Sequence, residues 1–332
     1  MNIIEQVDYL MQGTEYGDEQ LKKAMSDELE ERLKEAEKEK RPLRVYCGFD
    51  PSTSDLHLGH TVPIRKLRQF QELGHTVIFL VGNFTSLIGD PSDKDELRPS
   101  LSVEEVEENS KSYARQAFKI LDSEKTLIEY NAKWLSDLNF EKLIKAASQF
   151  TISEFMNRDN FKKRYDKGEE IYLHETLYAF LQGYDAFSLD ADVQVGGTDQ
   201  FFNIVIASRR IMTVLGKKPN VALIMGILPG TNGKTKMSKS LGNHIPLLAQ
   251  HEDMYGMIMN IPDDTMGSYM RLLTRWTPDE ISRMEQRVKE GSLSVRSLKM
   301  KLAYEIVSIY YYESMADRAQ YTYKRGLSEE SF

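Results

Sequence analysis

Residues 43–84 run as strand, helix, strand, and that order constrains the chain more than any other stretch of it. LRVYCGF at 43–49 is a continuous apolar run and PSTS at 51–54 a loop; LGHTVPIRKLRQFQELG carries Leu67, Phe70 and Leu73 on the inward side of a helix, and HTVIFLVGNF at 75–84 repeats the apolar run. At this spacing the pattern is a βαβ unit of a parallel sheet. Residues 192–197, which run into Gly196-Gly197, and VALIMGILP at 221–229 read as further buried strands. The stretch 102–190 is mostly of helical period, including IYLHETLYAFLQGYDAF. Beyond about residue 250 the strand signal disappears, and TPDEISRMEQRVKEG and SLKMKLAYEIVSIYYYESMADRAQYTYKR read as helices. The expected fold is α/β: a doubly wound parallel sheet with a C-terminal all-helical domain. EQLKKAMSDELEERLKEAEKEK at 19–40 is expected to be an exposed helix with a solvated charged face. The segments expected are 1–40 (helical extension), 41–230 (sheet domain), 231–250 (loop and linker) and 251–332 (helical domain).

With 332 residues, 41% hydrophobic and 28% charged, the chain is long enough for one large or two medium domains. No apolar stretch approaches the roughly 20 residues that span a bilayer. The N-terminal MNIIEQVDYLMQGTEYGDEQ is acidic where a signal peptide needs a basic flank. A lone cysteine, Cys47, leaves no internal disulfide and no multi-cysteine metal site, so a reducing, cytoplasmic setting is expected. The net charge is −8, but residues 1–40 hold six Lys/Arg against twelve Asp/Glu, so the remainder is nearly balanced. Charge neither supports nor excludes an RNA partner.

Several common readings fail. TNGKT at 231–235 resembles the end of a P-loop, but Leu228 stands where that motif needs glycine. No G-x-G occurs, and His174-Glu175 begins a zinc-protease pattern that ends on Tyr178. No protein metal site is expected.

Three constellations hold. His57-Leu58-Gly59-His60 sets two imidazoles three residues apart at a helix start, where free N–H groups and the helix dipole attract phosphate. Lys236-Met237-Ser238-Lys239-Ser240 places two ammonium groups and two hydroxyls beside Gly233, in a loop able to close over a polyphosphate. Tyr178, Gln182 and Asp185 share one helix face, and Gln194-Val195-Gly196-Gly197-Thr198-Asp199-Gln200 follows at the carboxyl end of a strand, where ligands bind in open α/β sheets. Alone, the two signatures could be two ordinary helix-start histidines and a solvated surface loop. Together and in this order they point to adenylate formation from ATP.

YCGFDPS, HLGH, LIGDPS, LYAFLQGYD, QVGGTDQ and KMSKS, in this order over about residues 43–325, resemble the bacterial tyrosyl-tRNA synthetases, which are class I aminoacyl-tRNA synthetases with a Rossmann-like catalytic domain. The resemblance implies that Tyr46 and Asp185 receive the substrate phenol, that Asp90, Tyr178 and Gln182 hold its ammonium group, and that Gln194 and Gln200 lie near the carboxylate and α-carbon. For ATP it implies Gly48, Asp50, Ser52, His57, Gly59 and His60 on one side, Gly197 and Asp199 at the ribose, and Lys236, Lys239 and Ser240 over the phosphates. Thr85, Lys94 and Arg98 match positions that assist pyrophosphate binding. It further implies Mg2+ arriving with ATP, tRNA(Tyr) as partner, a homodimer formed through a helical insertion near 125–170, and an anticodon-binding role for 251–332. Asn83-Phe84 stands where many relatives have Gly-Ala, and Ser52 replaces a commoner threonine. Relatives usually continue into a small RNA-binding domain, so the chain is expected to form adenylate well and to charge tRNA poorly. Residues 251–332 hold eleven basic against thirteen acidic side chains, few with which to hold a polyanion.

The substrate carboxylate, with a pKa of about 3.5, is already ionised and needs no general base. The difficulty is electrostatic, and donors aimed at the developing phosphate charge carry the catalysis. Two other readings stay open on sequence alone: an RNA-binding paralogue that has lost catalysis, and an enzyme activating tryptophan or another aromatic acid.

Overall fold

The computed structural model describes residues 1–51, 55–92 and 102–329. The chain divides into two compact units: residues 1–54, 66–114 and 122–225 form the first, and residues 55–65, 115–121 and 226–332 the second.

The first unit is built on five parallel strands, β1 Arg44–Phe49, β2 Thr76–Val81, β3 Thr126–Tyr130, β4 Val193–Gly197 and β5 Val221–Met225, in the order β3-β2-β1-β4-β5. From β1 the chain winds outward to β2 and β3, then returns to place β4 on the other side. The order therefore reverses between β1 and β4, and the carboxyl ends of those two strands face the crevice that this fold uses for ligands. Tyr46 stands opposite Ile78 of β2 and Gln194 of β4. The β1–β2 crossover is the helix Leu58–Glu72, with Leu67 and Phe70 fully buried. Tyr46, Ile78, Leu80, Ala186, Leu189, Ala191 and Met212 form the core on one sheet face.

Two features depart from expectation. β3 lies inside the stretch that reads as mostly helical. It is a five-residue edge strand whose Leu127 and Tyr130 remain exposed, so it lacks the continuous apolar run that marks a buried parallel strand. The helix over Glu19–Glu39 exists as expected but is not a solvated rod: Met25, Leu29, Leu33 and Ala36 recur at helical spacing and are buried. Arg32 is buried with them, 3.2 Å from Asp192. Residues before this helix cap the free edge of β5, where Glu15 N–H donates to the Ile224 carbonyl (2.7 Å) and Tyr16 OH to that of Ala222 (2.6 Å). An edge covered in this way cannot pair with another chain.

The second unit joins the start of the Leu58–Glu72 helix to the helices that follow the sheet. His251–Met259, Val295–Tyr310 and Glu313–Glu329 pack on one another around Tyr255, Leu302, Ile306, Val307, Ala316 and Ala319. Thr61, one turn past His57, shares a 2.7 Å hydrogen bond with Tyr310, and Arg65 donates to the Thr274 carbonyl (2.7 Å). Among the described residues no helix is long and apolar enough to cross a membrane.

Candidate active site

The first unit carries a continuous polar network behind the carboxyl ends of β1 and β2. Asp50, just past β1, accepts from Thr85 Oγ1 (2.7 Å) and from Tyr178 OH (2.9 Å). Asn131, at the end of β3, donates to Thr85 Oγ1 (3.0 Å) and to Asp185 Oδ2 (3.2 Å), and Trp134 Nε1 donates to Asp185 Oδ1 (2.7 Å). Asp185 is fully buried, and that burial, opposed by Trp134 and Asn131 and reinforced by Asp50, raises its carboxyl to about 8. Burial first, and Asp185 second, push the Tyr46 phenol well above its usual value.

Among the described residues, two buried polar atoms in this region have no hydrogen-bond partner: Tyr46 OH and Gln182 Oε1. Buried polar groups are normally satisfied, so these two mark places where a ligand's donors and acceptors belong. On the β4 side, Gln200 Nε2 donates to Asp90 Oδ2 (2.6 Å), while Gln194 is buried against Asn220 (3.1 Å). Gly197 and Asp199 close the end of β4, and a Cβ on Gly197 would stand 2.5 Å from Asp199 Oδ1. Gly48 is exposed near the end of β1.

A Cβ on Gly82 would lie 2.1 Å from Asp50 Oδ1 and 2.4 Å from Thr85 Oγ1, inside the Asp50–Thr85 hydrogen bond. We expect Gly82→Ala to break that pair, costing about 1–3 kcal/mol of stability, as read by urea melts. Stability at the wild-type level would show that the network tolerates the methyl group.

The raised Asp185 carboxyl makes stability pH-dependent. The unfolded chain releases this proton near pH 4, whereas the folded chain keeps it to about pH 8. Between those values the unfolded state binds fewer protons, so this group lowers stability as pH rises through the window, by at most about 1.4 kcal/mol per pH unit. Asp185→Asn should lack that slope in denaturation curves taken from pH 5 to 9. A wild-type profile indistinguishable from that of the variant would place the carboxyl elsewhere on the pH scale.

The second unit brings HLGH and KMSKS together. Gly59 N–H donates to His57 Nδ1 (3.1 Å) and His57 N–H to His60 Nδ1 (3.2 Å), so each ring carries its own proton on Nε2. The two ring centroids are 3.9 Å apart, and that of His244 is 6.0 Å from His57. Burial, then His60, His244, Lys236 and Lys239, drive the His57 imidazole down to about 2. His57 therefore stays neutral, because a buried ring among cations cannot hold another proton. A Cβ on Gly59 would meet His57 at 2.9 Å, which explains the glycine. Lys239 Nζ lies 3.5 Å from Asp55, Ser240 Oγ pairs with Ser238 Oγ (2.9 Å), Met237 is buried, and Lys236 is exposed.

Tyr46, Asp50, Thr85, Tyr178 and Asp185 are thus gathered in the first unit, and His57, Gly59, His60, Lys236, Lys239 and Ser240 in the second. Ser52, Lys94 and Arg98 lie outside the described residues. Sequence reasoning missed Gly82, Asn131, Trp134 and His244. Gly82 immediately follows an apolar strand, a position that could have flagged it, whereas Asn131 follows β3, which carries no apolar run. Asn83-Phe84 gains an account: Asn83 Oδ1 accepts from Ala132 N–H (3.0 Å) and Phe84 N–H donates to Asn131 Oδ1 (2.9 Å), which seats the turn bearing Trp134. Arg158 was missed as well. It is buried, reaches Ser92 (3.0 Å) and Asn203 (3.2 Å), and is held down to about 10 by its burial despite nearby Asp90.

The family profile of class I tRNA synthetases (W and Y) matches residues 38–328, and the chain belongs to that family. It is an aminoacyl-tRNA synthetase with the Rossmann-like fold of its class. Within the family its relatives include tyrosine–tRNA ligases. That of Thermotoga maritima is 46% identical over 291 residues, covering 88% of this chain and 72% of the relative. That of Desulfotalea psychrophila is 44% identical over 309 residues, covering 92% and 76%. A C-terminally truncated mitochondrial tyrosyl-tRNA synthetase of Aspergillus nidulans matches with a TM-score of 0.74 at 23% identity, covering 97% of this chain and 93% of that one. The tyrosyl-tRNA synthetase of Archaeoglobus fulgidus, complexed with L-tyrosine, matches with a TM-score of 0.72 at 20% identity, covering 96% and 100%. Both structures speak to the fold.

Proposed function

We infer that the chain is a tyrosine–tRNA ligase, which joins L-tyrosine to ATP as tyrosyl-adenylate with release of pyrophosphate and then passes tyrosine to the 3′ end of tRNA(Tyr). The observation that carries the substrate is the buried Tyr46 hydroxyl, which has no hydrogen-bond partner among the described residues and lies beside the Asp185 carboxyl. A substrate phenol supplies the partner that Tyr46 lacks and occupies the remaining lone pairs of Asp185. Gln182, with its buried free carbonyl oxygen, accepts from the substrate ammonium, assisted by Tyr178 and Asp90. Gln200 lies towards the carboxylate; Gln194, buried against Asn220, contributes from behind the α-carbon.

The tyrosine carboxylate attacks the α-phosphorus, forming the acyl–phosphate bond as the bond to pyrophosphate breaks. No proton has to move. His57 and His60 donate to phosphate oxygens as neutral imidazoles through Nε2, and Lys236, Lys239 and Ser240 meet the charge that builds on the leaving pyrophosphate. Gly48, Asp50, Ser52, Gly59, Gly197 and Asp199 receive the nucleotide, and Thr85, Lys94 and Arg98 assist pyrophosphate. Mg2+ enters on ATP as part of the substrate. The 251–332 helices receive the anticodon arm, and the protein works in the cytoplasm.

A homodimer is supported by apolar side chains left exposed between residues 127 and 173: Leu127, Phe140, Ile144, Ile152 and Leu173. Scattered apolar exposure is ordinary, but a run of this kind within one segment marks an interface. We expect Phe140→Glu with Ile144→Glu to convert a dimer to a monomer in sedimentation equilibrium. A wild type that is already monomeric at micromolar concentration removes this reading.

Amino-acid-dependent pyrophosphate exchange tests the function. Tyrosine should drive exchange with ATP, and tryptophan and phenylalanine should not. Equal exchange with tryptophan would move the substrate to the other branch of the family, and no exchange with any amino acid would leave a binding module.

A further inference from the structure

Asn243 stands at a joint between the two signatures. Residues 56–58 and 245–247 form a short antiparallel pairing: Leu58 N–H donates to the Ile245 carbonyl (3.0 Å), Leu247 N–H donates to that of Leu56 (2.9 Å), and His57 is bridged to Pro246. The segment that makes this pairing, residues 245–247, begins two positions after Asn243. The backbone that presents the His57 ring is therefore tied to the chain leaving the lysine loop.

The Asn243 side chain points back into that loop. It is 4% exposed, and its amide is used at both ends. Oδ1 accepts from Ser238 N–H (2.8 Å), while Nδ2 donates to Thr235 Oγ1 (2.9 Å) and to the Lys236 carbonyl (3.1 Å). Its own carbonyl accepts from Thr231 N–H (2.8 Å), and Lys236 is bridged to Pro229 on the other side. A Cβ on Gly230 would lie 2.2 Å from Nδ2, so glycine there admits the amide. One planar group thus holds a backbone acceptor at Lys236 and a backbone donor at Ser238, on either side of the buried Met237. Only an amide offers donor and acceptor together in that shape.

We propose that Asn243 is a positioning residue for adenylate formation: it sets the KMSKS ammonium groups at a fixed reach from the HLGH imidazoles and acts on the reaction only through them. The proposal rests on the reading of those lysines as phosphate ligands. Asn243 itself touches no substrate. Its removal leaves the lysines present but no longer preorganised, and preorganised donors are what stabilise developing charge without reorganisation.

The test is a double-mutant cycle on the full chain, using Asn243→Ala, Asn243→Asp, Lys239→Ala and the two doubles. Asn243→Asp keeps the Ser238 acceptor and the shape but loses the Nδ2 donations, so it carries the test if the alanine variant unfolds. Single-turnover adenylate formation, tyrosine dissociation constant and thermal midpoint are read on each. Asn243→Ala and Asn243→Asp should each slow adenylate formation by about 30–100-fold, with tyrosine affinity within about twofold of wild type. In the Lys239→Ala background the same changes should cost several-fold less than they do in the wild type, because the part of the effect exerted through Lys239 cannot be lost twice, while the part exerted through Lys236 remains. Full multiplication of the two effects, or a rate loss tracked by an equal loss of tyrosine binding, would reduce Asn243 to a stabiliser of the fold and overturn the proposal. A wild-type rate for Lys239→Ala alone would overturn the phosphate-ligand reading itself, an outcome distinct from additivity in the cycle.

Discussion

Asp185→Ala should raise the tyrosine dissociation constant by about 5- to 150-fold, the equivalent of the roughly 1–3 kcal/mol lost when a buried hydrogen-bonding group is left without its partner. The carboxyl is buried, and Trp134 and Asn131 occupy only part of its accepting capacity. A bound phenol finds a partner there in either protonation state: it donates to the carboxylate or accepts from the acid that burial stabilises up to about pH 8. Discrimination against phenylalanine should narrow in the same variant. A site built to pair a hydroxyl rejects the analogue without one because its own groups are left unpaired, an effect for which tyrosine enzymes of this family are themselves the reference case. Equilibrium dialysis with both amino acids reads the two effects together. An unchanged tyrosine constant removes Asp185 from the pocket.

His57→Ala and Lys239→Ala should each slow single-turnover adenylate formation by about 10²–10³-fold and leave tyrosine affinity within about twofold, since their donors act mainly as charge develops on the phosphates. The two residues reach that result by different chemistry. Lys239 rests 3.5 Å from the exposed Asp55, and a solvent-screened pair of this kind holds it only weakly, so it is available to a polyphosphate. His57 donates as a neutral ring, held so by burial and by neighbouring His60 and His244. The pH profile of adenylate formation between 5 and 8 should therefore contain no inflection that disappears in His57→Asn. A profile whose limb near 6.5 vanishes in that variant would make His57 a titrating group and contradict its environment. Weakened tyrosine binding with normal turnover would contradict both assignments.

The elements that read most clearly from sequence were those whose signal is local and strong. β1, β2, β4, β5 and the helix carrying Tyr178, Gln182 and Asp185 are marked by continuous apolar runs or by a 3.6-residue period, which follow from burial on two faces or on one stripe. β3 escaped because an edge strand with exposed Leu127 and Tyr130 has no such run. The buried stripe of the Glu19–Glu39 helix escaped because alternating charges dominate its composition, although Met25, Leu29, Leu33 and Ala36 sit at helical spacing. Thr14 and Glu15 add to β5 through backbone groups, for which no side-chain pattern exists.

At the site, chemistry was legible as residue type and its support was not. Two imidazoles at a helix start, two lysines in a flexible loop and a polar helix face require particular side chains, so HLGH, KMSKS and the Tyr178–Asp185 stripe are visible in the letters alone. Asn131, Trp134, Gly82, His244 and Asn243 matter through what they touch. A lone asparagine 46 positions from Thr85 is unremarkable until a 3.0 Å hydrogen bond links them, and a glycine after a strand is ordinary until its missing Cβ proves to be the space that Asp50 occupies. The sequence by itself determined the parallel α/β class, the helical C-terminal part and the kind of chemistry, because these follow from local periodicity and from functional groups that have no substitute. Tertiary structure alone decided that HLGH belongs to the same compact unit as KMSKS, that Asp185 keeps its proton to about pH 8, and that His57 gives its up. Each of those depends on burial and on neighbours distant in the chain, and both exist only once the polypeptide has folded.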